Sequence, residues 1–131
     1  MTYTINIPTL ENLETRQVKA RNVNQALLME TVSRGMEASA DHCINYFKLE
    51  LNNLDFVADT WIINEVQNVL REMGYLTEYQ PRKALLFVYW DDKSQRLLAQ
   101  MKAAPCQWRL PTYEQHLKSL EKKNEILYKG A

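Results

Sequence analysis

Residues 55 to 92 constrain the fold more than any other part of the chain. Apolar residues at Phe56, Ile63, Val66, Leu70 and Met73, with Ile62 and Val69 beside them, recur at helical spacing. That pattern gives a helix one wide apolar face, so a helix is expected over 56–73. Asp55 suits its N-cap, because a short carboxylate accepts from the free backbone N–H groups of the first turn. Asp59 and Glu65 fall in its first half, where the helix dipole favours anions. Gly74 follows the last apolar position and suits the left-handed residue that ends many helices.

A hairpin is expected next. Tyr75 to Tyr79 alternates, with Tyr75, Thr77 and Tyr79 on one face. Pro81-Arg82-Lys83 interrupts the pattern as a turn. Ala84 to Trp90 is the most apolar run in the chain. It is far shorter than the roughly 20 residues of a membrane span. Its β-branched and aromatic content predicts a strand buried on both faces. Asp91-Asp92 ends it, and a carboxylate there can cap a helix carrying Leu97, Leu98, Met101 and Ala104. Pro105 should stop that helix near Ala103, because the residue before proline is pushed out of the α region.

The flanks add further elements. Tyr3, Ile5 and Ile7 alternate with polar residues up to Pro8 and predict a third strand beside the hairpin. Thr9 to Arg21 reads equally as a short helix capped by Thr9 or as an exposed loop. Leu28, Val32, Met36, Ser39, Cys43, Tyr46, Phe47 and Leu51 follow helical spacing, so a long helix is expected over about 24–51. Asn52-Asn53 would turn it back onto the 56–73 helix as a helical hairpin. Gly35, Ala38, Ser39 and Ala40 form a small-residue face suited to close packing, either on that second helix or on a second copy of the chain. Thr112 with Gln115 is a capping-box pattern. It opens a last helix with Tyr113, Leu117, Leu120 and Leu127 on one side. The expected fold is α+β: one domain, a small antiparallel sheet of about three strands, with the helical hairpin and the C-terminal helices mainly on one face.

Composition limits the function classes. Sixteen basic and sixteen acidic side chains balance over the chain, which argues against nucleic acid as the partner. The charges are segregated: residues 1–80 hold 6 basic and 11 acidic residues (6 − 11 = −5), and residues 81–131 hold 10 and 5 (10 − 5 = +5). The acidic set includes Glu30, Glu37, Asp41, Asp55, Asp59, Glu65 and Glu72. The basic set includes Lys118, Lys122, Lys123 and Lys129. Their attraction is expected either to dock the last helix within the chain or to support a salt-sensitive homodimer. Met1 to Leu13 is broken by Asn6, Pro8, Glu11 and Asn12, so no secretory signal is expected and the cytoplasm is the expected compartment. Cys43 and Cys106 lack metal-type spacing and read as free thiols, expected to be buried as small hydrophobes.

Catalytic signals are sparse. His42 and Cys43 are adjacent, so on a helix they point about 100° apart and cannot act as a nucleophile–base pair. His116 has no second ligand at helical spacing. Asp91 and Asp92 at a strand end are the best candidates for holding a divalent cation in a nuclease, with Glu78 on the partner strand, but helix capping explains them more simply. No phosphate-binding glycine loop, serine nucleophile elbow or zinc pattern occurs, and no cofactor is expected. Trp108 and Arg109, with Arg82 and Lys83 at the hairpin turn, are the candidate partner-binding residues, since Trp and Arg are enriched among interface hot spots. Trp108 tucked into the core is the competing reading.

The order helix, Gly74-Tyr75, strand, proline turn, strand ending at Trp90 resembles small uncharacterised proteins of tailed bacteriophages over residues 55–92. The resemblance implies a viral origin and a protein that binds a host factor or forms a minor virion part. The expected function is therefore non-catalytic binding of another protein, such as a bacterial host factor. The alternatives are a structural virion component and a metal-dependent nuclease using Asp91 and Asp92.

Overall fold

The computed structural model describes residues 7–104 and 108–129, with side chains in the last helix described up to Lys122. The elements are α1 (Leu10–Asp41), β1 (Tyr46–Glu50), α2 (Thr60–Glu72), β2 (Leu76–Gln80), β3 (Leu85–Tyr89), α3 (Asp92–Ala103) and α4 (Tyr113–Lys129). The strands form one antiparallel sheet in the order β1-β3-β2. This is the expected α+β fold, with four α-helices and a three-stranded sheet among the described residues.

The helix α1 is one continuous element where the sequence suggested a boundary near residue 24. Thr9 caps it, its Oγ1 accepting from Asn12 N at 3.2 Å. The helix ends at Asp41, ten residues before the expected stop. Cys43 adopts a left-handed conformation at φ 58°. Around it, Cys43 N donates to Ala40 O at 2.9 Å and Ile44 N to Ser39 O at 2.9 Å. This bonding closes a helix at a left-handed residue, a position that usually holds glycine. A cysteine there hides the stop, while Tyr46, Phe47 and Leu51 keep up an apparently helical rhythm.

The third strand is therefore β1, drawn from the stretch read as helix. Its residues pair with β3, with Tyr46 opposite Tyr89 and Leu49 opposite Leu86. The strand expected over Tyr3–Ile7 lies outside the described residues except for Ile7, which is exposed and belongs to no strand. The expected helical hairpin is also interrupted. Helices α1 and α2 do pack together, but the chain between them runs through β1 and a short 3-10 turn at Leu51–Asn53.

The core lies between the sheet and the first two helices. Leu28 and Val32 of α1 meet Ile62, Ile63, Val66 and Leu70 of α2 and Leu49, Leu86 and Val88 of the sheet. The strand β3 is central but not buried on both faces as expected. Leu86 and Val88 are fully buried, whereas Leu85, Phe87 and Tyr89 on the other side are only half-buried. Burial thus alternates along β3, as it does when a sheet packs its core against one face only.

The helix α2 starts at Thr60 rather than Phe56, and its cap is Asp59 rather than Asp55. Asp59 Oδ1 accepts from Ile62 N at 2.9 Å. Tertiary partners hold the preceding residues extended: Asn24 Nδ2 donates to Val57 O at 3.0 Å, and Arg21 Nη1 reaches Asp59 Oδ2 at 2.7 Å. At the other end Gly74, at φ 101°, closes the helix as expected, with Tyr75 N donating to Leu70 O at 2.9 Å. The proline turn and the α3 boundaries also match expectation.

Gly35 has a different partner from either one anticipated. The Phe47 ring of β1 lies against it, so a Cβ built there would fall inside the ring's van der Waals envelope. The small-residue face of α1 around Gly35 is thus filled by this chain's own strand. Gly35→Ala should destabilise the fold by up to about 2 kcal/mol, because overpacking of about 1–3 kcal/mol is only partly offset by a helix-propensity gain of about 1 kcal/mol. Adding Phe47→Leu should recover much of that loss, a non-additivity measurable by urea denaturation. Cys106 lies outside the described residues; Cys43 is exposed rather than buried as expected, because it sits in the left-handed turn beyond the end of α1. Cys43→Gly should therefore stabilise the protein by about 1 kcal/mol, by removing left-handed strain, and raise the melting temperature by a few degrees.

Candidate functional site

The helix α2 carries a polar stripe beside its apolar face. Asn64, Gln67, Asn68 and Arg71 recur at steps of three and four, so they line one side of the helix. Three of these residues hold the segment from Trp108 to Pro111 by its backbone. Asn64 Nδ2 donates to Pro111 O at 2.9 Å. Asn68 grips Leu110 twice: its Nδ2 donates to Leu110 O at 3.0 Å, and its Oδ1 accepts from Leu110 N at 2.7 Å. Arg71 Nη1 donates to Trp108 O at 2.9 Å.

Arg71 is the least expected of these residues. It is buried, and among the described residues no carboxylate pairs with it. Its other two nitrogens meet Thr77 of β2, Nε at the hydroxyl (2.9 Å) and Nη2 at the carbonyl (3.0 Å). The Thr77 hydroxyl in turn donates to Gln67 Oε1 at 2.9 Å. Burial lowers the Arg71 pKa from its usual value, but a guanidinium stays charged at any ordinary pH. The network joins α2, β2 and the segment before α4 around one cation satisfied by neutral oxygens.

The last helix docks by aromatic contacts. Thr112 and Gln115 form the expected capping box, each side chain accepting from the other's backbone N–H at 3.2 and 3.1 Å. Arg21 lies over the Tyr113 ring at 4.1 Å, and Trp61 stacks on His116 at 4.7 Å. Lys118 pairs with Glu114 of its own helix. The described contacts at the start of α4 are thus aromatic and cation–π, and the side chains of Lys123 and Lys129 lie outside the described residues.

Two concavities flank Met73, which is 65% exposed at the end of α2. The first, about 520 Å³, is lined chiefly by Met29, Met36, Leu70, Met73, Tyr75 and Trp90, with Ser33, Glu37 and Gln95 at polar positions. Tyr75 and Trp90 meet edge to face at 6.5 Å. The second, about 360 Å³, runs along Val69, Met73 and Glu72 to Trp108 and Arg109. Trp108 is half-buried, neither wholly core nor wholly surface. Arg109 lies 4.8 Å and Lys102 5.3 Å from its ring, within reach of the attraction between a cation and an aromatic face. Arg109 also approaches Glu72 at 3.9 Å, with both side chains largely exposed.

The structure places Trp108 and Arg109 together on this surface. Arg82 and Lys83 lie in the exposed β2–β3 turn. Three strand residues, roughly 10 Å at 3.3 Å each, separate that turn from Thr77 and the Arg71 network. Sequence reasoning missed the first concavity, although three of the five methionines line it. That enrichment is the signal that could have found it, since flexible thioethers suit adaptable binding surfaces.

The acidic pair sits at the β3–α3 junction. Asp91 is the N-cap residue of α3, and Asp92 begins the helix. The Asp91 carboxylate makes no capping hydrogen bond of good geometry; the Ser94 side chain, aided by the Ser94 backbone N–H and by Lys93, holds its pKa below the ordinary value. Glu78 faces Tyr89, whose hydroxyl pKa is raised by burial and by that carboxylate. Among the described residues no three His, Cys, Asp or Glu side chains converge as metal ligands, and no helix is long and apolar enough to cross a membrane. His42 is exposed, its Nδ1 bonded to Ala38 O at 2.8 Å. Comparison with protein-family models, curated proteins and solved structures gave no match.

Asn68→Ala should strip both hydrogen bonds from Leu110 and cost about 1–3 kcal/mol. Hydrogen exchange provides the measurement, with loss of protection expected first at the Leu110 amide.

Proposed function

We propose that this protein is a non-catalytic binding module for an amphipathic segment of another protein, seated across Met73. The observation that supports the reading is the pair of concavities sharing that residue. A large, flexible apolar side chain stands two-thirds exposed between a lining rich in Met, Leu, Tyr and Trp on one side and, on the other, a more polar one in which Val69, Trp108 and Leu110 are the apolar members. Such a surface fits apolar anchors placed on either side of a ridge, as in helix-in-groove recognition. Trp108 and Arg109 supply the hot-spot residue types on one rim. This reading leaves Arg82 and Lys83 outside the contact. The likeness of residues 55–92 to small tailed-phage proteins makes a bacterial host protein the first partner to seek.

The test is capture from lysate of the native cell, with partners identified by mass spectrometry. Met73→Glu is at an exposed position and should keep the wild-type melting temperature while losing the captured protein. Trp108→Ala with Arg109→Ala should weaken capture by about tenfold or more if these are hot spots worth roughly 2 kcal/mol. Arg82→Glu with Lys83→Glu should leave capture unchanged. Equal capture by the wild type and the Met73→Glu variant would sink this reading.

A further inference from the structure

The far side of α1 carries a second pattern, independent of the concavities at Met73. Every residue from Leu10 to Ala20 is exposed, so the first three turns of the helix extend beyond the core. Leu13, Val23 and Leu27 are also exposed, at 44%, 57% and 39%. With Arg16, Ala20, Glu30 and Arg34 they occupy alternating steps of three and four. That is the spacing of a coiled-coil seam, with Leu13, Ala20, Val23 and Leu27 as its apolar members, spanning about 32 Å from Leu13 to Arg34 at 1.5 Å per residue. The seam lies to one side of the line through Leu28, Val32 and Gly35 that faces this chain's own core.

We propose that this seam is a homodimer interface in which two copies of α1 pack antiparallel about Val23. The sequence of the seam fits its own reverse. Val23 faces its counterpart, and Ala20 faces Leu27 of the second copy on each side of the dyad. Arg16 then faces Glu30, and Leu13 faces Arg34. Each charged end of the seam meets an opposite charge or an apolar stem, and the small Ala20 lets the helices approach. A parallel pairing would set Arg16 against Arg16 and Glu30 against Glu30, so charge selects the antiparallel orientation.

A second observation places the arriving end. A concavity of about 400 Å³ opens beside the seam, lined by Leu27, Glu30, Thr31, Arg34, Asp55 and Phe56. In the antiparallel register it receives Leu13 and Arg16 of the second copy. Glu30 already pairs with Arg34 of its own helix, and Asp55 adds a further carboxylate for the incoming Arg16. Exposed ion pairs each contribute little, so they set register while the apolar centre supplies most of the affinity.

Sedimentation equilibrium should show a monomer–dimer equilibrium. Arg16→Glu alone and Glu30→Arg alone should each weaken it by roughly tenfold or more, since two-fold symmetry repeats every like-charge contact. The two substitutions combined should restore it towards the wild-type dissociation constant. With Cys43→Ser and Cys106→Ser in place, Val23→Cys should crosslink two copies under mild oxidation, and Leu13→Cys should not. Circular dichroism should match the wild type throughout, because all these seam positions are exposed. A monomer at every concentration overturns the proposal. So does a dimer that the double reversal fails to restore, or one that Leu13→Cys crosslinks as readily as Val23→Cys.

Discussion

A buried guanidinium sets the terms for much of this fold. Removing a cation from water is expensive unless every donor finds an acceptor. At Arg71 each of the three guanidinium nitrogens finds an acceptor, in the backbone carbonyls of Thr77 and Trp108 and the Thr77 hydroxyl. Those oxygens come from β2 and from the segment before α4, so both must be in place for the charge to be tolerated. Gln67 completes the set by accepting from Thr77. The same helix turns Ile62, Ile63, Val66 and Leu70 to the core. Two adjacent faces of α2 are thereby occupied, one by oil and one by hydrogen bonds.

What remains of α2 is a narrow exposed strip bearing Val69, Glu72 and Met73. The concavities beside Met73 follow from that arrangement. The segment from Trp108 to Pro111 is drawn against the polar stripe and forms the wall of one. On the other side α1 and the start of α3 border the end of α2 and enclose the first concavity. The binding reading and the dimer reading use different parts of α1. Met29, Ser33 and Met36 line the first concavity, whereas Ala20, Val23, Leu27 and Glu30 form the seam. A dimer formed along the seam would present two copies of the Met73 surface, which for a partner with repeated sites raises avidity without new contacts.

The sheet shows how a single backbone conformation redirects a chain. Cys43 turns left-handed, α1 stops, and the next residues become an edge strand beside β3 instead of another two turns of helix. Phe47 then reaches back onto Gly35. The glycine interrupting the helix and the aromatic residue twelve positions later answer one another across the core. Neither position explains itself in isolation.

Elements whose signals are local were legible in the sequence. The apolar face of α2, Gly74 at its end, the proline turn, the β2–β3 hairpin, the start of α3 at Asp91 and the Thr112–Gln115 capping box each depend on residues within a turn or two of one another. So did the class of the fold, because a helix-period stretch followed by a hairpin leaves few ways to bury both. The sequence also singled out Trp108 and Arg109 by residue type. Only the tertiary structure decided the rest. The end of α1 rested on a cysteine taking a glycine's conformation, and the start of α2 was delayed by Arg21 and Asn24 from another helix. Arg71 was indistinguishable from a solvated charge until Thr77 and Trp108 surrounded it. Pairing, burial and charge satisfaction between distant residues are properties of the assembled chain, and no local spacing encodes which distant oxygen will meet which donor.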